Sequence, residues 1–524
     1  MARIQAITAL FFTLLAFVAA QAPKPSGVGS DNIKPLPPAK DPNAVGVAEE
    51  CTGIDIRTLS GKCTSAVDPS LGEARRAQFS YFDVNTVEFE DGNLRSRAPF
   101  PTSDPREEEP IEVPEGDPDL DKRELEFVRS MRAPVNDSTS VERPITVLSS
   151  ALDLSNVYGV EEERNQFLRV ANSCRLKTSR GNLLPFNTGN FVNTPNTSPA
   201  FFIAGDTRAS ETPMLTAMHT TWVREHNRIC DLLEDAFPNF EAEKQYETAR
   251  AINIAQYQKI IYEEWLPAIL GSTLPAYTGY KKEVNPTVSL EFTTAAFRLG
   301  HTLVGEDVTR IDSRGNELPP RPAEDMFFVR SEEISAEELE NFIRGGATTS
   351  AQEVDEKVVD TLRNFLFENV EEEEGFDLIA LNLQRSRDHH VAKFNELREL
   401  FLGSRASSFA QISSNPTTAR NLELAYGNVD NVEAWIGLMA EDKNRGVGVG
   451  RTLESLLKTE FTRLRDGDQF FYLLRNQLPT EVLNGLPRVR NDIFGNRPLF
   501  NRILRRTTRI GARFLPSGRN AFRV

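Results

Sequence analysis

The chain has 524 residues, 39% hydrophobic and 26% charged, enough for one large core or two ordinary ones, which excludes a wholly disordered protein. Its 60 lysines and arginines stand against 76 acidic residues, a formal charge of −16; this argues against nucleic acid as a partner and leaves small substrates open. Four cysteines are too few for a disulfide scaffold, so a hydrophobic core must carry the stability.

One early arginine, an apolar run from Ala6 to Val18 and the small residues Ala19 and Ala20 read as a secretory signal peptide over 1–20. The run is shorter than the roughly 20 apolar residues of a membrane anchor, and no later stretch is apolar enough to span a bilayer. The expected product is secreted and extracellular, with Asn136 and Asn196 as glycosylation acceptors. Residues 21–50, poor in apolar side chains, form a flexible leader. Residues 51–140 form an irregular N-terminal region in which Cys51 and Cys63 bracket a short polar segment and are expected to pair. Cys174 and Cys230 lie too far apart in sequence to assign, and a buried free thiol is the alternative. Within 96–122, prolines at 99, 101, 105, 110, 114 and 118 rule out a continuous helix and argue against a packed core.

From about residue 141 the pattern becomes helices joined by polar loops. Leu215, Met218, Trp222, Ile229 and Leu232 form one apolar face, and Ile254, Tyr257, Ile261 and Trp265 a second. Val354, Val358, Leu362 and Phe365 suggest a third, ended by the acidic run Glu371–Glu374 and Gly375. The expected fold is mainly α, a single large helical domain over 141–515 followed by a tail, 516–524.

Only five histidines are available for metal or acid–base chemistry: His219, His226, His301, His389 and His390. In FRLGHTLV, Arg298 and His301 are three apart on one face of a helix-compatible segment. The imidazole suits a haem iron and the cation a propionate, although from the residues alone a histidine on an apolar helix is more often a hydrogen-bonded core residue. In LNLQRSRDHH, Asn382 and Arg385 are again three apart; an amide there suits the outer nitrogen of an iron-bound imidazole, or a network capping a helix end. In AGDTRASETP, Arg208 and Glu211 form a pair that an exposed salt bridge would also explain.

These three segments occur in order, with SSALDLSNVYG (149–159) before the first of them and AWIGLMAED (434–442) and RLRDGDQFFY (463–472) after the last. Together they span about 140–515, and on them the chain resembles the animal haem peroxidase superfamily. The resemblance implies a haem b oxidoreductase that uses hydrogen peroxide to oxidise a small donor, halide or phenolic, in response to oxidative stress. It implies His301 as proximal iron ligand, Asn382 as its hydrogen-bond partner, and Arg298 and Arg385 as propionate holders. Arg208 matches the distal arginine that polarises peroxide, and Glu211 a carboxylate that in many members is esterified to a haem methyl. Thr212 stands where a few members carry a haem-linked methionine, so that bond should be absent. Ser149, Asp153, Ser155 and the carbonyl of Ala151 match most of a calcium loop.

One block departs from the family pattern. Members carry a distal histidine in a Gly-Gln-x-x-Asp-His-Asp type motif upstream of the stretch matched by SALDLSNVYG; this sequence has no such motif and no histidine before 219. The proline-rich stretch 96–122 stands in its place, and one carboxylate of the calcium site goes with it. Three accounts fit: a form from which one block has been left out, a peroxidase with another distal group, or a haem-binding or adhesion-type pseudo-peroxidase.

Overall fold

The computed structural model describes residues 48–81, 110–132, 143–366 and 375–523, apart from positions 55, 119, 121, 122, 131, 365, 445, 475, 476 and 517. The expected signal peptide, almost all of the leader, Asn136, Phe365, Glu371–Glu374 and the first part of the proline-rich stretch lie outside these residues.

The main helices run in the order α1 Pro213–Ala236, α2 Ala242–Ile260, α3 Leu290–Thr294, α4 Ala336–Thr348, α5 Leu378–Asp388, α6 Phe394–Leu402, α7 Ala434–Ala440, α8 Arg451–Asp466, α9 Pro487–Phe494 and α10 Phe500–Thr507. The mainly α fold is therefore as expected. Strands among the described residues are few: β1 Ile111–Glu112 pairs antiparallel with β2 Glu124–Leu125, and β3 Asp307–Ile311 with β4 Glu317–Pro322. The first pair falls at the end of the proline-rich stretch, where Leu120 is buried, so that part does pack.

α1 begins where the sequence dictates. Thr212 caps it by accepting from the Leu215 backbone N–H at 3.2 Å, and Pro213 occupies a first-turn position that needs no donor. Leu215, Met218, Trp222 and Ile229 are buried and Leu232 is half-buried. α2 continues through a π turn, Ile261–Trp265, into a short helix Leu266–Leu270. Pro267, which cannot donate to Glu263, accounts for the widened turn. Tyr257 meets Trp222 edge-on at 5.2 Å, and the Asn253 amide donates to the Trp222 carbonyl at 3.1 Å. The two expected faces thus pack on each other.

The third expected face is not a helix. Only Asp360–Arg363 is helical and carries the buried Leu362; Val354 is buried from irregular chain. Asp355 accepts from the Lys357 backbone N–H at 3.0 Å, a local bond that competes with helix formation.

Cys51 pairs with Cys63 as expected, Cα to Cα 5.7 Å. Cys174 pairs with Cys230, Cα to Cα 5.8 Å, which fastens α1 to the chain before it. One hydrophobic cluster reaches from Leu152 to Phe522. The closing residues belong to it: Phe522 is buried and stacks on Phe500 at 5.1 Å. A second small cluster, Phe127 with Leu362, Leu366 and Leu381, packs the N-terminal region against α5.

Candidate functional site

α3 ends at Ala295 (φ −121°, ψ −67°), and the chain restarts as a 3-10 helix over Ala296–Leu303 rather than an α-helix. Trp435 Nε1 donates to the Arg298 carbonyl at 3.3 Å, claiming an acceptor that an α-helix would offer to Thr302. With three residues per turn, Arg298 and His301 eclipse on one face.

Asn382 joins them. Asp377 caps α5 by accepting from the backbone N–H groups of Ile379 and Ala380, at 2.8 and 3.0 Å, and Asn382 follows one turn later. Its Nδ2 lies 2.8 Å from His301 Nδ1, and its Oδ1 accepts from Arg298 Nη1. A guanidinium only donates, so the amide oxygen must face Arg298 and the amide nitrogen the imidazole. Burial, then the Arg298 charge, pushes His301 down to about 3. The ring is neutral at neutral pH; facing the amide nitrogen, its Nδ1 accepts, so the one ring proton sits on Nε2.

Arg298 is pushed down to about 9 by burial and by the charges of Arg385 and Arg208. Among the described residues no carboxylate bonds to it; its side chain donates to Asn382 and, at 3.5 Å, to the Thr293 carbonyl. A buried cation without a counter-ion is costly. An anionic group would complete the set, so a neutral imidazole beside an uncompensated guanidinium fits haem and its propionate. Arg208, Glu211, Arg298 and His301 each keep some accessible surface.

Arg385 is placed differently. Its guanidinium bonds Asp388 and Ser130, each at 2.9 Å, and the Val128 carbonyl at 2.9 Å, and lies 4.2 Å from the centre of the Phe127 ring. Asp388 also accepts from Arg129 at 2.8 Å and from the Ser130 N–H at 2.9 Å. His389 bridges Thr294 Oγ1 at 2.9 Å and Ser130 Oγ at 2.7 Å. This hub ties residues 127–130 to α5 and α3, and sequence reasoning missed it because Arg129 and Asp388 are 259 positions apart.

On the other side, the segment 204–212 is pinned to a short helix, Ser155–Tyr158. A side chain at Gly205 would collide with the backbone of Ser155 and Gly159, and the Asp206 N–H donates to the Asn156 carbonyl at 2.9 Å. Arg208 grips Asp206 through both arms of its guanidinium, at 3.0 and 2.5 Å. Burial opposes ionisation of Asp206, but Arg208 outweighs it and holds the carboxyl below its ordinary value. Burial raises Glu211, with Arg208 opposing. Thr212 spends its hydroxyl on the α1 cap.

His219, on α1, is the histidine electrostatically coupled to Asp206 and Arg208. Its Nδ1 donates to the Leu215 carbonyl at 2.8 Å, while Nε2 is buried with no hydrogen-bond partner. Burial lowers it and Asp206 opposes. His219 was named from sequence only as one of the five histidines, and Asp206 was not singled out; its place two residues before an arginine in a Gly-Asp-x-Arg turn was the readable signal. His226 is a core histidine, bonded to the Tyr158 hydroxyl at 3.0 Å and the Cys174 carbonyl at 2.7 Å.

The loop Ser149–Ser155 is buried. Ser149 Oγ accepts from the Ala151 N–H at 3.1 Å and Asp153 Oδ1 from the Ser155 N–H at 2.9 Å, which leaves Asp153 Oδ2 buried without a hydrogen-bond partner. An orphaned carboxylate oxygen in a loop of hydroxyls and carbonyls suits a hard cation.

Residues 57–491 match the animal haem peroxidase family. Eosinophil peroxidase of Mus musculus is 36% identical over 391 residues, covering 69% of this chain and 54% of that protein; myeloperoxidase of Homo sapiens is 35% identical over 395, covering 69% and 52%. The chain thus spans about half the length of these curated relatives. Among solved structures, peroxidase A of Dictyostelium discoideum superposes with a TM-score of 0.76 at 26% identity, covering 90% of this chain and 99% of that one.

Proposed function

The chain belongs to the animal haem peroxidase family, and from that membership we propose that it is a secreted haem peroxidase, oxidising a small halide or phenolic donor with hydrogen peroxide as part of a response to oxidative stress. The observation that carries the reading is the unit His301–Asn382–Arg298, a neutral, half-buried imidazole engaged at Nδ1 by Asn382, beside a cation lacking an anion. Family membership implies a haem cofactor, and haem b bound at His301 would supply the two-electron reduction of peroxide.

The protein's own residues have separable tasks. His301 would ligate iron through Nε2 with its proton on Nδ1, and for that the Asn382 amide would turn its oxygen to Nδ1 as Arg298 is drawn to the propionate. Arg298 would hold one propionate, and Arg385, held by Asp388, would face the other. Arg208, oriented by Asp206, would polarise bound peroxide without giving up a proton, since guanidinium stays charged at working pH. Glu211 would supply an ester link, and Ser149, Ala151, Asp153 and Ser155 part of a calcium site.

The second reading, a non-catalytic haem-binding or adhesion-type protein, is favoured by one observation: the histidine coupled to Arg208 has its free edge sealed in the core. Loss of a distal acid–base group typically costs about 10²–10⁴ in rate. Steady-state oxidation of a phenolic donor by the haem-loaded protein separates the two. Peroxide-dependent turnover that disappears in Arg208→Gln supports the peroxidase. A haem-loaded protein no faster than free haemin overturns it.

A further inference from the structure

The short helix Ser155–Tyr158, on which the segment 204–212 rests, ends in a tyrosine whose hydroxyl faces an imidazole. Tyr158 and His226 are both fully buried, and the Tyr158 oxygen lies 3.0 Å from His226 Nδ1. The tautomer follows from the far side of the ring. Nε2 lies 2.7 Å from the Cys174 carbonyl, which only accepts, so the ring proton is on Nε2 and Nδ1 accepts from the phenol. Asn253 Nδ2 donates to the same phenol oxygen at 2.9 Å and to the Trp222 carbonyl at 3.1 Å. Burial holds the Tyr158 phenol well above its ordinary value, so it keeps its proton. Burial also pushes His226 down to about 4, with the charges of Arg169, Arg175 and Arg250 acting in the same direction and the Cys174 bond opposing. A protonated phenol therefore faces an unprotonated base, and both are sealed from water.

The pair is bonded to the Arg208 side of the candidate site. The Tyr158 backbone lies against Gly205, the Asp206 N–H donates to the Asn156 carbonyl at 2.9 Å, and the Asp206 carboxylate holds Arg208. From Tyr158 to Arg208 the route is two residues of helix, one hydrogen bond and Asp206. The neighbouring Tyr246 is placed otherwise. Its ring centre is 6.4 Å from that of Tyr158, but its hydroxyl meets the Asn165 amide nitrogen at 2.8 Å, a donor that cannot take a proton.

We propose that Tyr158 is an internal redox site: once peroxide has oxidised the haem site, the phenol gives that site one electron, its O–H bond breaks, and the proton passes to His226 Nδ1. The inference rests on haem being held at His301. The haem site is reduced by one electron, Tyr158 becomes a neutral phenoxyl radical that accepts from Asn253 and from the new imidazolium, and Nε2–H stays on the Cys174 carbonyl. One electron from a donor and the proton from Nδ1 restore the phenol. Without a base at hydrogen-bond distance the oxidised ring would hold an unpaired positive charge in the core, which is costly; His226 moves that charge onto a hydrogen-bonded imidazolium. Peroxide takes two electrons and a phenolic donor supplies one at a time, so the pair holds one oxidising equivalent between donors, where water does not reach it.

The test mixes the haem-loaded full-length protein with hydrogen peroxide, freezes it rapidly and records electron paramagnetic resonance, with the Soret band read on the same sample. The expected result is a tyrosyl radical that shows coupling to nitrogen when the protein carries isotopically labelled histidine, is lost in Tyr158→Phe and persists in Tyr246→Phe. Haem content and the change in the Soret band on adding peroxide should be alike in all three proteins. The nitrogen coupling is read on the wild type, so it decides the matter even if a variant fails to fold. A signal that survives Tyr158→Phe, a tyrosyl signal without the histidine coupling, or a haem that responds to peroxide with no protein radical overturns the redox site and leaves the haem reading standing. A protein with no Soret band, or with one that peroxide leaves unchanged, overturns both.

Discussion

On the His301 side, three side chains from two segments form a relay: Arg298 donates to the Asn382 oxygen, and the Asn382 amide nitrogen faces His301 Nδ1, so an anion that drew Arg298 away would free the amide to turn. On the Arg208 side, a guanidinium is fixed by Asp206, but the nearest coupled histidine offers only a buried nitrogen. One half of the site has its ligand and its orienting partner; the other has its charge without an exposed proton acceptor. Electrostatic stabilisation of a developing charge and proton transfer are different services, and this chain supplies the first more completely than the second.

The largest expected effect sharpens the proximal half. Asp388 is a buried hub for Arg129, Arg132 and Arg385, and Asp388→Asn strands those cations at a cost of about 3–5 kcal/mol, measured by denaturant unfolding. Burial works against this carboxyl, but His389, Arg385 and Arg132 hold it well below its ordinary value. Its stabilisation is therefore complete above the ordinary carboxylate range and is lost as pH falls toward its folded-state value. The variant should show a flatter acid-unfolding profile; an unchanged profile removes Asp388 from that role.

Next comes the distal half. Arg208→Gln should lower the peroxide-dependent rate by about 10²–10³ while haem content stays unchanged. If the rate holds, the charge on that side is idle. Asn382→Ala should change activity or haem affinity by about 10–100-fold and shift the reduction potential of the bound iron. An unshifted potential breaks the relay. Smallest in rate is Glu211→Gln: it should turn over almost normally, yet all its haem should extract into acidified organic solvent after peroxide treatment, where the wild type retains some. Complete extraction from both would mean that Glu211 forms no ester.

Much of this was legible in the sequence where one local rule decided it. The apolar faces followed from the spacing of Trp222, Tyr257 and Trp265, and the Arg298–His301 pairing from a three-residue spacing that holds in an α- or a 3-10 helix. What was not legible depended on distant chain. Trp435 takes the Arg298 carbonyl, Ser130 and Arg129 reach Asp388, and Cys174 meets Cys230. The spacing of Val354, Val358 and Leu362 misled because β-branched residues and an Asp355 turn satisfy the same burial without a helix.

The central claim is that His301 holds haem iron. Titrating the purified protein with haemin, and following the Soret band, tests it directly when the same titration is run on His301→Gly with and without free imidazole. The expected result is one haem per chain in the wild type, loss of the ligand-bound spectrum in the variant, and its return when imidazole fills the gap. A variant that takes up haem with wild-type stoichiometry and spectrum without imidazole would contradict the assignment.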